Sequence, residues 1–197
     1  MNTLFPIYVK LDQIETLLLG AGPVGLEKIQ AIISNSPNAK VKVVAESVTE
    51  EFYKFIADKP LIELFKRSFT AVDLFGKQLV ILATNNPKLN NYVRELCNDQ
   101  HILLNVADKP SLCDFYLGSV VQKGNLKIGI STNGKSPTIA KRLKEFLNEL
   151  LPDEIDETLN LMSDLRNQLH GDLKEKINVL NAHTEQLILQ NEIDRAN

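Results

Sequence analysis

Gly20, Gly22 and Gly25 stand in the spacing G-x-G-x-x-G, between an apolar run at residues 14–19 and a helical pattern that follows. In that setting each glycine has a separate task. The first permits a tight turn, the second lets the main chain approach a pyrophosphate, and the third packs helix closely on strand. Pro23 and Val24 lie inside the loop. The helix start behind them offers N–H groups and the positive end of a dipole to phosphate. The plainer alternative is a glycine turn that binds nothing. About twenty residues further on, a second apolar run ends Val43-Val44-Ala45-Glu46. An acidic side chain there accepts from a ribose 2′-OH and repels a 2′-phosphate, so Glu46 favours NAD over NADP; otherwise it is a solvated loop carboxylate. A later run, residues 79–83, ends in Thr84-Asn85-Asn86, suited to contact ribose or nicotinamide, or to cap a helix with Pro87 behind. Asp108 follows the run 102–106, where it can serve as a base, as an acceptor that orients a substrate, or as a turn residue before Lys109-Pro110.

These residues need elements to bring them together. The runs at 14–19, 41–45, 61–65, 79–83 and 102–106 read as buried strands. Helical patterns at 26–34, 49–57 (with Ser47 or Thr49 as cap) and 88–97 alternate with them. Apolar strands alternating with helices imply parallel pairing, and ligands then bind at the carboxyl edge of the sheet. After Pro110 the pattern changes. Residues 115–122 and 126–131, joined by Lys123-Gly124-Asn125, read as an antiparallel hairpin. Ser136-Pro137 opens a helix to about residue 150. Beyond Pro152 the chain is polar and helical in pattern, carrying Leu159, Met162, Leu165 and Leu169, then Ile177, Leu180, Leu187 and Ile188. Gly171 separates the two stretches, and residues 192–197 are expected to fray.

Composition narrows the class. With 22 Lys and Arg against 25 Asp and Glu, the net charge of −3 argues against bulk nucleic-acid binding. No apolar run has the length of a membrane span, and residues 1–10 lack the pattern of a signal peptide. Two cysteines, Cys97 and Cys113, make no disulfide framework, and with three scattered histidines no zinc spacing is present. A reduced, cytoplasmic protein is expected.

Over residues 3–151 the chain resembles the precorrin-2 dehydrogenase family, the NAD-dependent module of siroheme synthesis. The residues that carry the likeness are Leu4-Phe5-Pro6-Ile7, the loop Gly20 to Lys28, Ala83-Thr84-Asn85-Asn86, Asn105-Val106-Ala107-Asp108, Phe115-Tyr116, and the block Ser131-Thr132-Asn133-Gly134-Lys135-Ser136-Pro137 with Ala140-Lys141-Arg142-Leu143. That last block is the most specific, because an ordinary dehydrogenase has no such segment after its sheet. Gly25 and Glu27 stand where the family usually has alanine and arginine, Asn85 and Asn86 where it has acidic residues, and Asn133 where it has glycine.

The resemblance implies oxidation of precorrin-2 to sirohydrochlorin with NAD, with Asp108 at the position of the family's catalytic aspartate. Some members also insert ferrous iron, for which the same aspartate can serve. The polycarboxylate substrate would be met by Thr132, Asn133, Lys135, Lys141 and Arg142, with Lys144 beside them; a solvated helix face is the alternative for these cations. A Rossmann-like NAD-binding domain over 1–110, a small α+β dimerisation and substrate segment over 111–151 and a helical C-terminal region over 152–197 are expected, in a symmetric homodimer. The rival readings are a dehydrogenase of an unrelated substrate, an NAD-binding sensor module without catalysis, and an iron chelatase with a vestigial loop.

Overall fold

The computed structural model describes residues 2–169, 177–179 and 181–182. The expectations for Gly171, Leu180, Leu187, Ile188 and residues 192–197 fall outside them. The described residues form two compact units, one reaching to Gly118 together with Asn133–Lys135, the other comprising Ser119–Thr132 and the residues from Ser136 onward.

In the first unit, strands β1 (Glu15–Ala21), β2 (Lys40–Val48), β3 (Ile62–Lys66), β4 (Leu79–Leu82) and β5 (Leu103–Val106) form one sheet in the order β3-β2-β1-β4-β5. Every pairing is parallel, as expected from strands apolar on both faces. Helices α1 (Pro23–Asn35), α2 (Glu50–Ile56) and α3 (Pro87–Asp99) alternate with the strands. The two-residue period of the strands sorts side chains between two cores. Leu18, Val41, Val43, Leu79 and Ile81 meet Ile29 and Ile32 of α1 and Phe52 of α2 on one face. Leu17, Leu19, Val80, Leu82 and Leu104 meet Val93 and Cys97 of α3 and Leu74 on the other. Because β2 and β4 flank β1, the strand order reverses at β1, and a crevice at that switch point is where such sheets bind ligands.

A charged tie that the sequence did not suggest joins β2, the end of β3 and the turn before β4. The carboxylate of Asp73 is buried. It accepts from both terminal nitrogens of Arg67 at 2.8 and 2.6 Å, from the Thr70 N–H at 2.9 Å, and pairs with Lys42 at 2.8 Å. The Arg67 guanidinium first, and then Lys42, hold this carboxyl below the usual carboxylate range against the opposing effect of its burial.

In the second unit, β6 (Ser119–Lys123) and β7 (Leu126–Ile130) pair antiparallel, followed by α4 (Pro137–Leu150) and α5 (Ile155–Gln168). The Asp156 carboxylate of α5 accepts from the main-chain N–H and side-chain amide of Asn125, at 2.6 and 2.9 Å, closing the hairpin turn; Lys123 pairs with Asp153 beside it. The expected hairpin is therefore present, but its first strand begins at Ser119, not at residue 115. The reason lies in the first unit, where residues 113–115 are bonded to the outer edge of β5.

Candidate active site

Loops from three adjacent strands meet at the carboxyl edge of the sheet. The main chain ties them in a row: Ala83 N–H donates to the Leu19 carbonyl at 2.8 Å, and Ala107 N–H to the Leu82 carbonyl at 2.9 Å. The glycine loop of β1, the Thr84-Asn85 loop of β4 and the Asp108 turn of β5 thus stand side by side at the switch point.

The three glycines differ in what demands them. Gly20 has a φ of 104°, and a Cβ there would overlap the carbonyl oxygen of Ala83, just past the end of β4. A Cβ on Gly25 would overlap the carbonyl oxygen of Gly20, so this glycine lets α1 lie against β1. Gly22, the N-cap of α1, has an ordinary extended conformation, and a Cβ there would meet nothing within 4 Å. The protein's own packing therefore requires the first and third glycines and leaves the space over the second open. No side chain caps α1, no acidic residue stands in its first turn, and Pro23 occupies its start. Val24 follows in that same first turn, next to Gly25.

Glu46 does not end its strand, because β2 runs on to Val48. Pairing with β1 jumps from Leu19↔Val44 to Ala21↔Val48, so Glu46 sits on a bulge. It is exposed on the same sheet edge as the glycine loop, and its carboxylate accepts from the Ser68 hydroxyl at 2.7 Å. Of the two caps considered for α2, Thr49 is the one used, accepting from Phe52 N–H at 3.4 Å.

Thr84 is half-buried and donates through its hydroxyl to the buried Asn90 of α3 at 2.6 Å. Asn86 caps α3 by accepting from Leu89 N–H at 3.1 Å, while Asn85 is exposed between them. Asn86 thus works for the helix, and Asn85 is exposed at the carboxyl edge of the sheet.

Asp108 is exposed and lies in the left-handed region with a φ of 59°. It is the third residue of a turn closed by Lys109 N–H donating to the Val106 carbonyl at 3.2 Å. Aspartate tolerates this conformation better than most residues, though at a cost. Residues outside the turn hold it in place. Asn105 is buried and donates to the Phe115 carbonyl at 2.8 Å, and Cys113 and Asp114 bind the outer edge of β5. A buried asparagine inside an apolar strand was the one sequence signal that could have pointed there.

Of the residues assigned to substrate, Asn133 and Lys135 belong to the first unit and Thr132, Lys141 and Arg142 to the second. The Thr132 hydroxyl donates to the Ser136 carbonyl and accepts from Ser136 N–H, each at 3.2 Å, and Asn133 is left-handed with a φ of 54°. Ser136 caps α4 through Ile139 N–H, as expected. Lys135, Lys141 and Arg142 are exposed, and Lys141 stands 3.9 Å from Glu145 one turn on, the geometry of a solvated helix pair. Among the described residues no group of three or more His, Cys, Asp or Glu could hold a metal ion, and no helix is long and apolar enough to cross a membrane.

A five-stranded parallel sheet with its glycine loop at the switch point defines a doubly wound nucleotide-binding domain. The chain belongs to the family described as "Putative NAD(P)-binding", which matches residues 7–119. Residues 123–150 match a second family, "Sirohaem biosynthesis protein central". Among curated proteins, the siroheme synthase of Vesicomyosocius okutanii subsp. Calyptogena okutanii (strain HA) is 33% identical over 169 residues, covering 86% of this chain and 35% of that protein. The siroheme synthase of Buchnera aphidicola subsp. Acyrthosiphon pisum (strain APS) is 32% identical over 161 residues, covering 82% and 33%. The chain thus spans about a third of the length of these relatives. A solved structure titled "SirC, precorrin-2 dehydrogenase" shares the fold, with a TM-score of 0.72 at 24% identity over 91% of this chain and 88% of that one.

Proposed function

We propose that this protein oxidises precorrin-2 to sirohydrochlorin with NAD, in siroheme biosynthesis, as a cytoplasmic homodimer. The observation that carries the reading is the joint placement of the open space over Gly22 and the left-handed Asp108 on one sheet edge, with the bonded strand ends between them. The names of the relatives supply the substrate class.

The residues present fit the dinucleotide. Gly22, Pro23, Val24 and Gly25 would receive the pyrophosphate at the uncapped start of α1, whose first turn carries no acidic residue. Glu46, already oriented by Ser68, would take the ribose diol and turn away a 2′-phosphate. Thr84 and Asn85 would border the nicotinamide end. When bound, the nicotinamide supplies the hydride acceptor. Loss of a hydride leaves the macrocycle one proton in excess, and Asp108, exposed at the end of β5, takes that proton as general base. Thr132, Asn133, Lys135, Lys141 and Arg142 would meet the substrate carboxylates.

The dimer reading rests on α4. Ile139, Leu143, Phe146 and Leu150 recur at four- and three-residue steps and are 43–57% exposed, an apolar stripe suited to a second copy.

Anaerobic incubation of enzymatically made precorrin-2 with NAD tests the function. Stoichiometric NADH and the sirohydrochlorin spectrum are expected, with strong loss in Asp108→Asn. NAD binding without NADH formation in the wild type would overturn the enzyme reading in favour of a sensor.

A further inference from the structure

β5 is the edge strand of the sheet, and an edge strand normally leaves main-chain groups unpaired. Here residues 113–115 cover it with a ladder built largely from side chains. Asp114 N–H donates to the Leu104 carbonyl at 2.7 Å, and the Asp114 carboxylate accepts from Leu104 N–H at 2.8 Å. The same carboxylate oxygen accepts from Arg94 of α3 at 2.7 Å, and Arg94 also donates to the Leu112 carbonyl at 3.2 Å. One step along, the Cys113 sulfur accepts from Val106 N–H at 3.2 Å. Its thiol hydrogen faces two carbonyls, Val106 and Lys109, each at 3.3 Å. Val106 and Lys109 are the first and last residues of the turn that carries Asp108.

We infer that Cys113 and Asp114 are positioning residues for Asp108: the sulfur clamps both ends of the left-handed turn, and the carboxylate, anchored by Arg94, fixes the sulfur's segment to β5. This rests on the reading of Asp108 as the base. Only a neutral thiol can donate to either carbonyl while accepting from the Val106 N–H, and burial pushes the Cys113 thiol up from its ordinary value, which keeps it neutral. A turn freed from the clamp relaxes away from its costly left-handed form, and the carboxylate leaves the place it must hold for proton transfer.

The test is a double-mutant cycle on the full-length protein, assayed anaerobically with precorrin-2 and NAD. Cys113→Ala is expected to lower kcat at least tenfold with the KM for NAD within twofold, since the glycine loop lies on another strand. Cys113→Ser, which keeps a donor and an acceptor, is expected to regain at least threefold. In an Asp108→Asn background the same Cys113→Ala change is expected to cost less than twofold, because a residue that acts through Asp108 has nothing left to position. Should Cys113→Ala melt below the assay temperature, Asp114→Asn enters the same cycle with the same expectation. An equal loss in both backgrounds, or an unchanged kcat in an active protein, overturns the inference and leaves the proposed function standing. A wild type that oxidises no precorrin-2 overturns both.

Discussion

Which replacement is made at Asp108 decides what an activity measurement means. Its φ of 59° is tolerated by asparagine and natural for glycine but strained for alanine. We expect Asp108→Asn to melt with the wild type while kcat falls by about 10²–10⁴-fold, the usual worth of a positioned base. Asp108→Ala should add a stability loss of about 1 kcal/mol, visible in denaturant titration. The glycines separate fold from ligand in the same way. Gly20→Ala drives a Cβ into the Ala83 carbonyl at a positive φ and should destabilise by about 2–4 kcal/mol. Gly22→Ala meets open space, so stability should stay within about 1 kcal/mol, the usual difference between Gly and Ala at an N-cap, while NAD binding, read by calorimetric titration, weakens at least tenfold. Equal affinity in Gly22→Ala would remove the pyrophosphate from this loop.

At the scale of elements, β2, β3 and the turn before β4 are held by Asp73 with Lys42 and Arg67. Because the Asp73 carboxyl titrates lower in the folded chain than its unfolded value of about 3.9, the folded state gains from its charged form. That gain is complete above about pH 5 and is lost progressively as pH falls below it. Asp73→Asn should therefore lower stability at neutral pH and flatten the acid limb of a stability–pH curve. A loss of about 2–3 kcal/mol is expected, less than for a fully buried pair because Arg67 and Lys42 keep 41% and 22% of their side-chain exposure. A variant with an unchanged acid limb would show that the tie contributes nothing. The same scale explains why β5, though an edge, can carry a rigid turn: side chains from 113–114 complete its ladder.

For the whole molecule, the apolar stripe on α4 sets an expectation about assembly. Replacing Phe146 by Asp, or Leu143 by Asp, puts a charge into a surface that we propose is buried between two copies. Sedimentation velocity should show the wild type at twice the monomer mass and either variant as a monomer. A wild type that sediments as a monomer at micromolar concentration would refute the dimer.

Strand runs, alternating helices and the glycine spacing were legible in the sequence because each depends on neighbours along the chain: periodicity, a φ only glycine accepts, a cap beside its helix. So the five parallel strands, Asn86 and Ser136 as caps, and the separate roles of Gly20 and Gly25 could be read directly. The tertiary structure alone decided what depends on residues far apart. It extended β2 past Glu46, because a bulge against β1 let the strand continue. It delayed the hairpin to Ser119, because β5 claims residues 113–115 through hydrogen bonds that no local pattern encodes. It buried Asp73 against Lys42 of β2 and Arg67 just past β3, and put a cysteine under the Asp108 turn. Polar groups are placed by the partners that satisfy them, and those partners become neighbours only when the chain folds.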